Sequence, residues 1–211
     1  RAILVGVLMT GAMLAFNRDP IQQFTAQLGK VRNAVTSEAF AADSQSAGAQ
    51  PGWRDPYVYY APISDLGKVD GQVLDQAKQR IDMAAYTISD FRVIDGLLNA
   101  ALRGVKVRLY MDATQYTQFR SRGGRDVHAF NALITAPNIE IRLNGPGASW
   151  MHLKGYVVDG QVLRSGSANF TYSGEREQDN DLVLLPNADA IASFQRNFEI
   201  MWNRGNNQAV R

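Results

Sequence analysis

Cysteine is absent from the 211 residues, which excludes disulfides, thiolate metal sites and cysteine nucleophiles. Histidine is nearly absent as well, His128 and His152 being the whole supply. With no histidine pair and no carboxylate cluster to replace one, no metal is expected, and no cofactor. Charge of one sign is also missing. The formal net charge is +2, split almost evenly between four basic and three acidic residues up to position 52 and eighteen and seventeen beyond it. No global field draws the chain to a polyanion, so any nucleic-acid contact has to come from a local patch.

Long hydrophobic runs are scarce. The longest, "AILVGVLMTGAMLAF", spans residues 2–16, short of the roughly 20 residues that cross a bilayer but suited to the apolar region of an export signal. The nearest Ala-x-Ala, Ala39-Phe40-Ala41, lies more than twenty residues further on, which is far for a signal peptidase. Residues 1–35 are therefore expected to be a signal or anchor followed by a helix, with possible membrane attachment through residues 2–16; a buried or interfacial helix is the alternative. Export places the remainder in the periplasm or outside, anchored to the inner membrane if the segment is retained. Residues 36–52, rich in Ala, Ser, Gly and Gln, read as a linker. A single domain is expected over residues 53–211.

Its periodicities alternate. "YVYYAP", "IDMAAY", "VKVRLYMD", "IEIRL" and "DLVLL" have the short apolar patterns of strands. Helices are expected over Asp70–Lys78, over "VIDGLLNAALRG", over Gly123–Thr135 and over Asn187–Trp202, the last with Ile191, Phe194, Phe198 and Met201 on one stripe. This βαβ rhythm predicts an α/β fold, a mixed β-sheet flanked by helices.

The chemistry concentrates in "HLKGYVVDGQVLRSGSAN", His152 to Asn169. Residues two apart on a strand share a face, so His152 projects with Lys154, and Ser167 with Asn169. Asp159-Gly160 between the pairs is a hairpin signal. Polar side chains in apolar strands are costly unless satisfied or used. The segment resembles the motif of a family that cleaves phosphodiesters, and that chemistry takes a nucleophile, donors for the non-bridging oxygens and an acid for the leaving oxygen. His152 is assigned as the nucleophile, Lys154 and Asn169 as phosphate donors, and Ser167 as a lesser donor. Asp159, at an odd offset from His152, is expected to orient the turn.

His-x-Lys, four residues, Asp159, six residues and Gly166-Ser167-x-Asn169 resemble the HKD signature of the phospholipase D superfamily. "QVLDQAKQRIDMAAYTISDFRVIDGLLNAALRGVKVRLYMD" and "GSANFTYSGEREQDNDLVLL" are similar to the flanking segments of that family, and the resemblance runs from Tyr57 to Trp202. It is closest to the single-motif bacterial endonuclease-like branch. That resemblance implies a metal-independent phosphodiesterase with a phospholipase D-like fold and one motif per chain, and a homodimer in which His152 of a second subunit is the acid, since His128 has no lysine two residues later. The branch tends to place a Glu against the nucleophilic His where this chain has Asn180. Glu177 and Asn180 are equal candidates for orienting His152.

One patch stands out. Residues 103–125 hold six basic residues against Asp112 alone, ending in "RSRGGR" with Arg120, Arg122 and Arg125. This reads as a basic, Gly-containing loop, either merely solvated or contacting a phosphate backbone. The expected function is that of an exported nuclease acting on DNA and conceivably RNA. A lipid hydrolase at the envelope and a non-catalytic phosphate- or nucleic-acid-binding module are the rivals.

Overall fold

The computed structural model describes residues 55–210; residues 1–35 and the whole of the expected linker, 36–52, lie outside them. Among the described residues, eight strands form one sheet in the order β1-β7-β6-β5-β2-β3-β4-β8. They are β1 (Tyr57–Ala61), β2 (Arg80–Ala85), β3 (Lys106–Met111), β4 (Ile139–Leu143), β5 (Lys154–Val158), β6 (Val162–Gly166), β7 (Asn180–Leu185) and β8 (Gln208–Val210). β2, β3 and β4 run parallel, and every other pairing is antiparallel. The helices are α1 (Leu66–Asp75), α2 (Phe91–Leu102), α3 (Ala113–Arg122), α4 (Arg125–Thr135), α5 (Tyr172–Arg176) and α6 (Ala188–Trp202). The fold is thus the expected mixed sheet flanked by helices.

Strand alternation divides the core in two. Ile81, Met83 and Ala85 of β2 point to one face, where they join Leu74, Val93, Leu97, Leu109, Phe119 and Phe130 in the large cluster under the first four helices. Ala84 and Tyr110 point to the other face and meet Phe198, Met201 and Trp202 of α6. The α6 stripe read from the sequence is therefore what covers that face. Its Glu199 also bridges Arg80 and Arg108, whose guanidinium groups both bind Asp82 of β2.

Several expected boundaries move. α1 starts four residues before Asp70, because Asp65 caps it by accepting the Lys68 N–H, and it ends at Asp75 although Ala77 is still buried. The "RSRGGR" segment is not a loop: Arg120 and Arg122 form the last turn of α3, and Gly123-Gly124 alone separates it from α4, which begins at Arg125. Asp112 caps α3 through the Gln115 N–H, a start signal hidden behind the strand before it. α5 and β8 had no periodicity to announce them, being 5 and 3 residues long.

Candidate active site

The hairpin forms where Asp159-Gly160 stands. Both residues take positive φ angles, 52° and 66°, and the Gln161 N–H closes onto the Val158 carbonyl, which is the turn that follows the twist of paired strands. The Asp159 carboxylate faces away from the other motif residues. It accepts the backbone N–H groups of Lys78, Gln79 and Arg80, each at 2.8 Å, and so fastens the hairpin tip to the connection between α1 and β2.

At the opposite end of the hairpin, register gathers the site. Lys154 pairs with Ala85, Gly166 with Leu182, and Ala61 with Asn180, so the carboxyl ends of β1, β2 and β6 and the amino ends of β5 and β7 share one sheet edge. In sheets with parallel strands this edge is where loops converge on ligands. Apart from Lys154, which opens β5, the motif residues sit just beyond the regular strands, not within them as the alternation suggested. His152 precedes β5 by two residues, and Ser167 and Asn169 follow β6. Gly166 makes that exit possible: its φ is 146°, and a Cβ there would lie 2.3 Å from the Asp181 carbonyl oxygen.

His152 is exposed and held by its neighbours. The Met151 N–H donates to the Asp112 carboxylate at 3.0 Å, and the Tyr86 N–H to the Leu153 carbonyl at 2.9 Å. The Tyr86 ring lies 4.5 Å from the imidazole, centroid to centroid. Lys154 is buried, and its Nζ stands 3.2 Å from both ring nitrogens of His152 while donating to the His152 carbonyl at 2.8 Å. Nζ also sits 4.8 Å from the centre of the Tyr86 ring. Burial disfavours the ammonium, the Arg164 charge adds to that, and together they bring the Lys154 pKa down to about 8.

Asn169 has its Oδ1 enclosed with no hydrogen-bond partner among the described residues. Ser167 is committed: its hydroxyl donates to Asn180 Oδ1 and accepts the Asp181 N–H, and its own N–H donates to Asp181 Oδ1, all at 3.0 Å. These bonds from Ser167 hold the Asp181 carboxyl below its usual range. Neither candidate for orienting the imidazole is hydrogen-bonded to it. Asn180 serves Ser167 and the Gly174 carbonyl, and Glu177 is exposed at the end of α5. His128 is exposed on α4.

Each of the three arginines has different neighbours. Arg120 is hydrogen-bonded to Asn131, and Arg122 lies over Phe119. Arg125 lines a cleft of about 490 Å³ with Ser89, Phe91, Tyr172 and Arg176. That cleft adjoins the site, since the Ser89 and Asp90 N–H groups both donate to the carbonyl of Phe170, next to Asn169. Phe91, Tyr172, Trp150 and Leu153 expose apolar surface along the same edge.

What sequence reasoning missed lies beneath. Arg164, Asp70 and Glu175 are completely buried. Arg164 grips Asp70 through Nε and Nη2 at 3.1 and 3.0 Å, and Asp70 also accepts the Tyr156 hydroxyl. The one available signal was positional: Arg164 occupies a core-facing place in an apolar strand.

Residues 71–202 match a family model described as "cardiolipin synthase, PLD-like domain". A mitochondrial cardiolipin hydrolase from Chlamydomonas reinhardtii is 30% identical over 131 residues, 62% of this chain and 54% of that protein. A phospholipase D from Rickettsia felis is 26% identical over 140 residues, 66% of this chain and 65% of the relative. The chain thus spans between half and two thirds of the length of these relatives. The crystal structure of a phospholipase D family member, Nuc from Salmonella typhimurium, superposes with a TM-score of 0.64 at 26% identity, covering 74% of this chain and 99% of that one. With the spaced motif gathered at one sheet edge and the family model matched over more than half of its length, the chain belongs to the phospholipase D superfamily.

Proposed function

We propose that the protein is a metal-independent phosphodiesterase, an exported nuclease cleaving DNA, and RNA as a lesser substrate, in a homodimer. The observation that carries the chemistry is the convergence at one sheet edge of His152, the Lys154 ammonium and Asn169, whose amide oxygen has no hydrogen-bond partner among the described residues. A phosphodiester entering there takes the Lys154 donors from the imidazole and frees its lone pair. A ring nitrogen of His152 attacks phosphorus, the bond to the leaving oxygen breaks, and His152 of the second subunit donates its proton to that oxygen. Water then attacks the phosphohistidine, giving its proton to the second imidazole; the P–N bond breaks and a phosphate monoester leaves. Lys154 and Asn169 hold the non-bridging oxygens throughout.

The nucleic-acid preference rests on the match to nearly the whole of Nuc and on Arg125 beside the aromatic rings of the adjoining cleft. Lipid is the second reading, favoured by the names of the relatives and by Trp150 and Leu153, exposed on either side of His152. The deciding experiment assays the protein with EDTA on single- and double-stranded DNA and on phosphatidylcholine and cardiolipin vesicles, with His152→Ala and His152→Asn alongside. Cleavage of DNA that both variants lose and EDTA spares supports the proposal. Activity on vesicles alone selects the lipid reading, and a His152→Ala variant within tenfold of wild type removes His152 as nucleophile.

A further inference from the structure

We infer that Arg164 is a positioning residue that fixes the distance between Lys154 and Asn169, and hence the width of the phosphate site. The inference rests on those two residues forming the site and goes beyond it. All five N–H groups that a guanidinium offers are used. Nε and Nη2 bind the two oxygens of Asp70, and Nη2 also reaches Glu175 Oε1 at 3.4 Å. Nη1 donates to the Lys154 carbonyl at 2.9 Å and to the Ala168 carbonyl at 3.3 Å. Those carbonyls belong to the residue that supplies Nζ and to the residue between Ser167 and Asn169. One planar group therefore ties the His-x-Lys strand to the Gly-Ser-x-Asn turn at the point where β5 and β6 have ceased to pair. The Phe170 ring, 4.4 Å from the guanidinium carbon, closes the other side.

The surroundings keep this clamp rigid. Asp70 comes from α1 and Glu175 from α5, so the fork is braced against both helices below the site. Glu175 is desolvated beside Asp70, which pushes its carboxyl far above the ordinary carboxylate range. It therefore keeps its proton, and one cation faces one anion in a cluster without net charge. A buried ion pair of this kind can often be exchanged for apolar residues without loss of stability, so stability alone gives no reason for an arginine here. The two carbonyls do, because no apolar side chain can hold them.

The test uses the full chain and bis(p-nitrophenyl) phosphate, at temperatures where circular dichroism shows each variant folded. Arg164→Lys keeps the charge but has three donors on one atom and cannot span Asp70 and both carbonyls. Its kcat/KM is expected to fall about 100-fold, the scale of a reacting group displaced by about 1 Å. The combined variant Arg164→Met, Asp70→Leu, Glu175→Gln removes the charges. It is expected to fold and to lose activity similarly, while the alkaline limb of its pH profile moves upward, since the cation opposing protonation of Lys154 is gone. Tyr156→Phe, which removes a partner of Asp70 and leaves both carbonyls held, should stay within threefold of wild type. A folded Arg164→Lys with activity within threefold of wild type overturns the inference. So does a loss that cooling fully restores, because that marks a structural role only. His152→Ala, run in parallel, separates this outcome from failure of the site itself: if it remains active, the site is wrong whatever Arg164 does.

Discussion

Lys154 makes the activity sensitive to alkali, and the structure gives the sign and the window. Its pKa lies at about 8, against 10.5 for a free side chain, because the ammonium is desolvated and faces the Arg164 charge. A group with that pKa is about 90% protonated at pH 7 and about 10% at pH 9. Only the ammonium can neutralise a non-bridging phosphate oxygen, so its deprotonation should make kcat/KM for bis(p-nitrophenyl) phosphate fall by a further factor of about ten per unit above pH 8, in addition to the limbs set by the two imidazoles. A bound phosphodiester is an anion beside Nζ and raises its pKa, so the limb in kcat should lie at higher pH than the limb in kcat/KM. The Lys154 share of stability follows the opposite course. Between about pH 8 and 10.5 the unfolded chain binds a proton at Lys154 that the folded chain has released, so this residue's destabilising contribution, fully present at pH 7, is relieved as pH rises through that window. Glu175, protonated over this range only in the folded chain, contributes with the opposite sign, so the Lys154 share is read as the difference between the urea-midpoint slopes of wild type and Lys154→Arg. Lys154→Arg carries a charge that does not titrate there, and whatever activity it retains should lack the limb. A wild-type profile that stays flat to pH 9.5, or an identical limb in Lys154→Arg, would refute the assignment.

Other expectations are simpler to check. Asp159→Ala removes the acceptor of three backbone N–H groups and puts alanine at φ 52°, so it should lower unfolding free energy by about 2–3 kcal/mol in urea titrations with little effect on kcat at low temperature. Gly166→Ala drives a Cβ into the Asp181 carbonyl at 2.3 Å and should cost more than about 3 kcal/mol, with turnover lost as well because Ser167 and Asn169 follow directly. Arg125→Ala should raise the Michaelis constant for DNA and lower the salt slope by roughly one, whereas Arg120→Ala should leave both unchanged, since its guanidinium is held by Asn131; equal effects of the two would discard the cleft as a DNA contact. Mixing wild type with excess His152→Ala chains under subunit exchange should suppress activity beyond dilution, and a fully active monomer in light scattering would end the shared-site proposal.

Why the sequence exposed some of this and hid the rest follows from distance along the chain. His152, Lys154, Ser167 and Asn169 fall within eighteen residues of one another, and a hairpin turn is a local event, written in the φ preferences of Asp159 and Gly160. The α6 stripe is local too, because it needs only the helical period. Asp65 and Asp112 were missed as helix starts for a different reason: each follows a strand closely, and the apolar strand pattern masks the cap. The support beneath the site is not local at all. Asp70 and Arg164 stand 94 positions apart, and nothing in either neighbourhood names the other. Arg164 nevertheless left a trace. Val162 and Arg164 share a face of β6, that face is core, and an arginine there must find partners for a charge and five donors. A cation at a core-facing position two residues before a Gly-Ser-x-Asn turn is thus legible as a demand, even though the residues meeting it are not. Asp70 is its counterpart, an acid between the buried Leu66 and Leu74 on the inward stripe of α1. Two opposite charges on core-facing positions of adjoining elements, each without a local partner, have only each other to neutralise them. That inference needs the fold before it can be drawn, which is why the candidate site residues could be named from spacing while the buried charges beneath them could not.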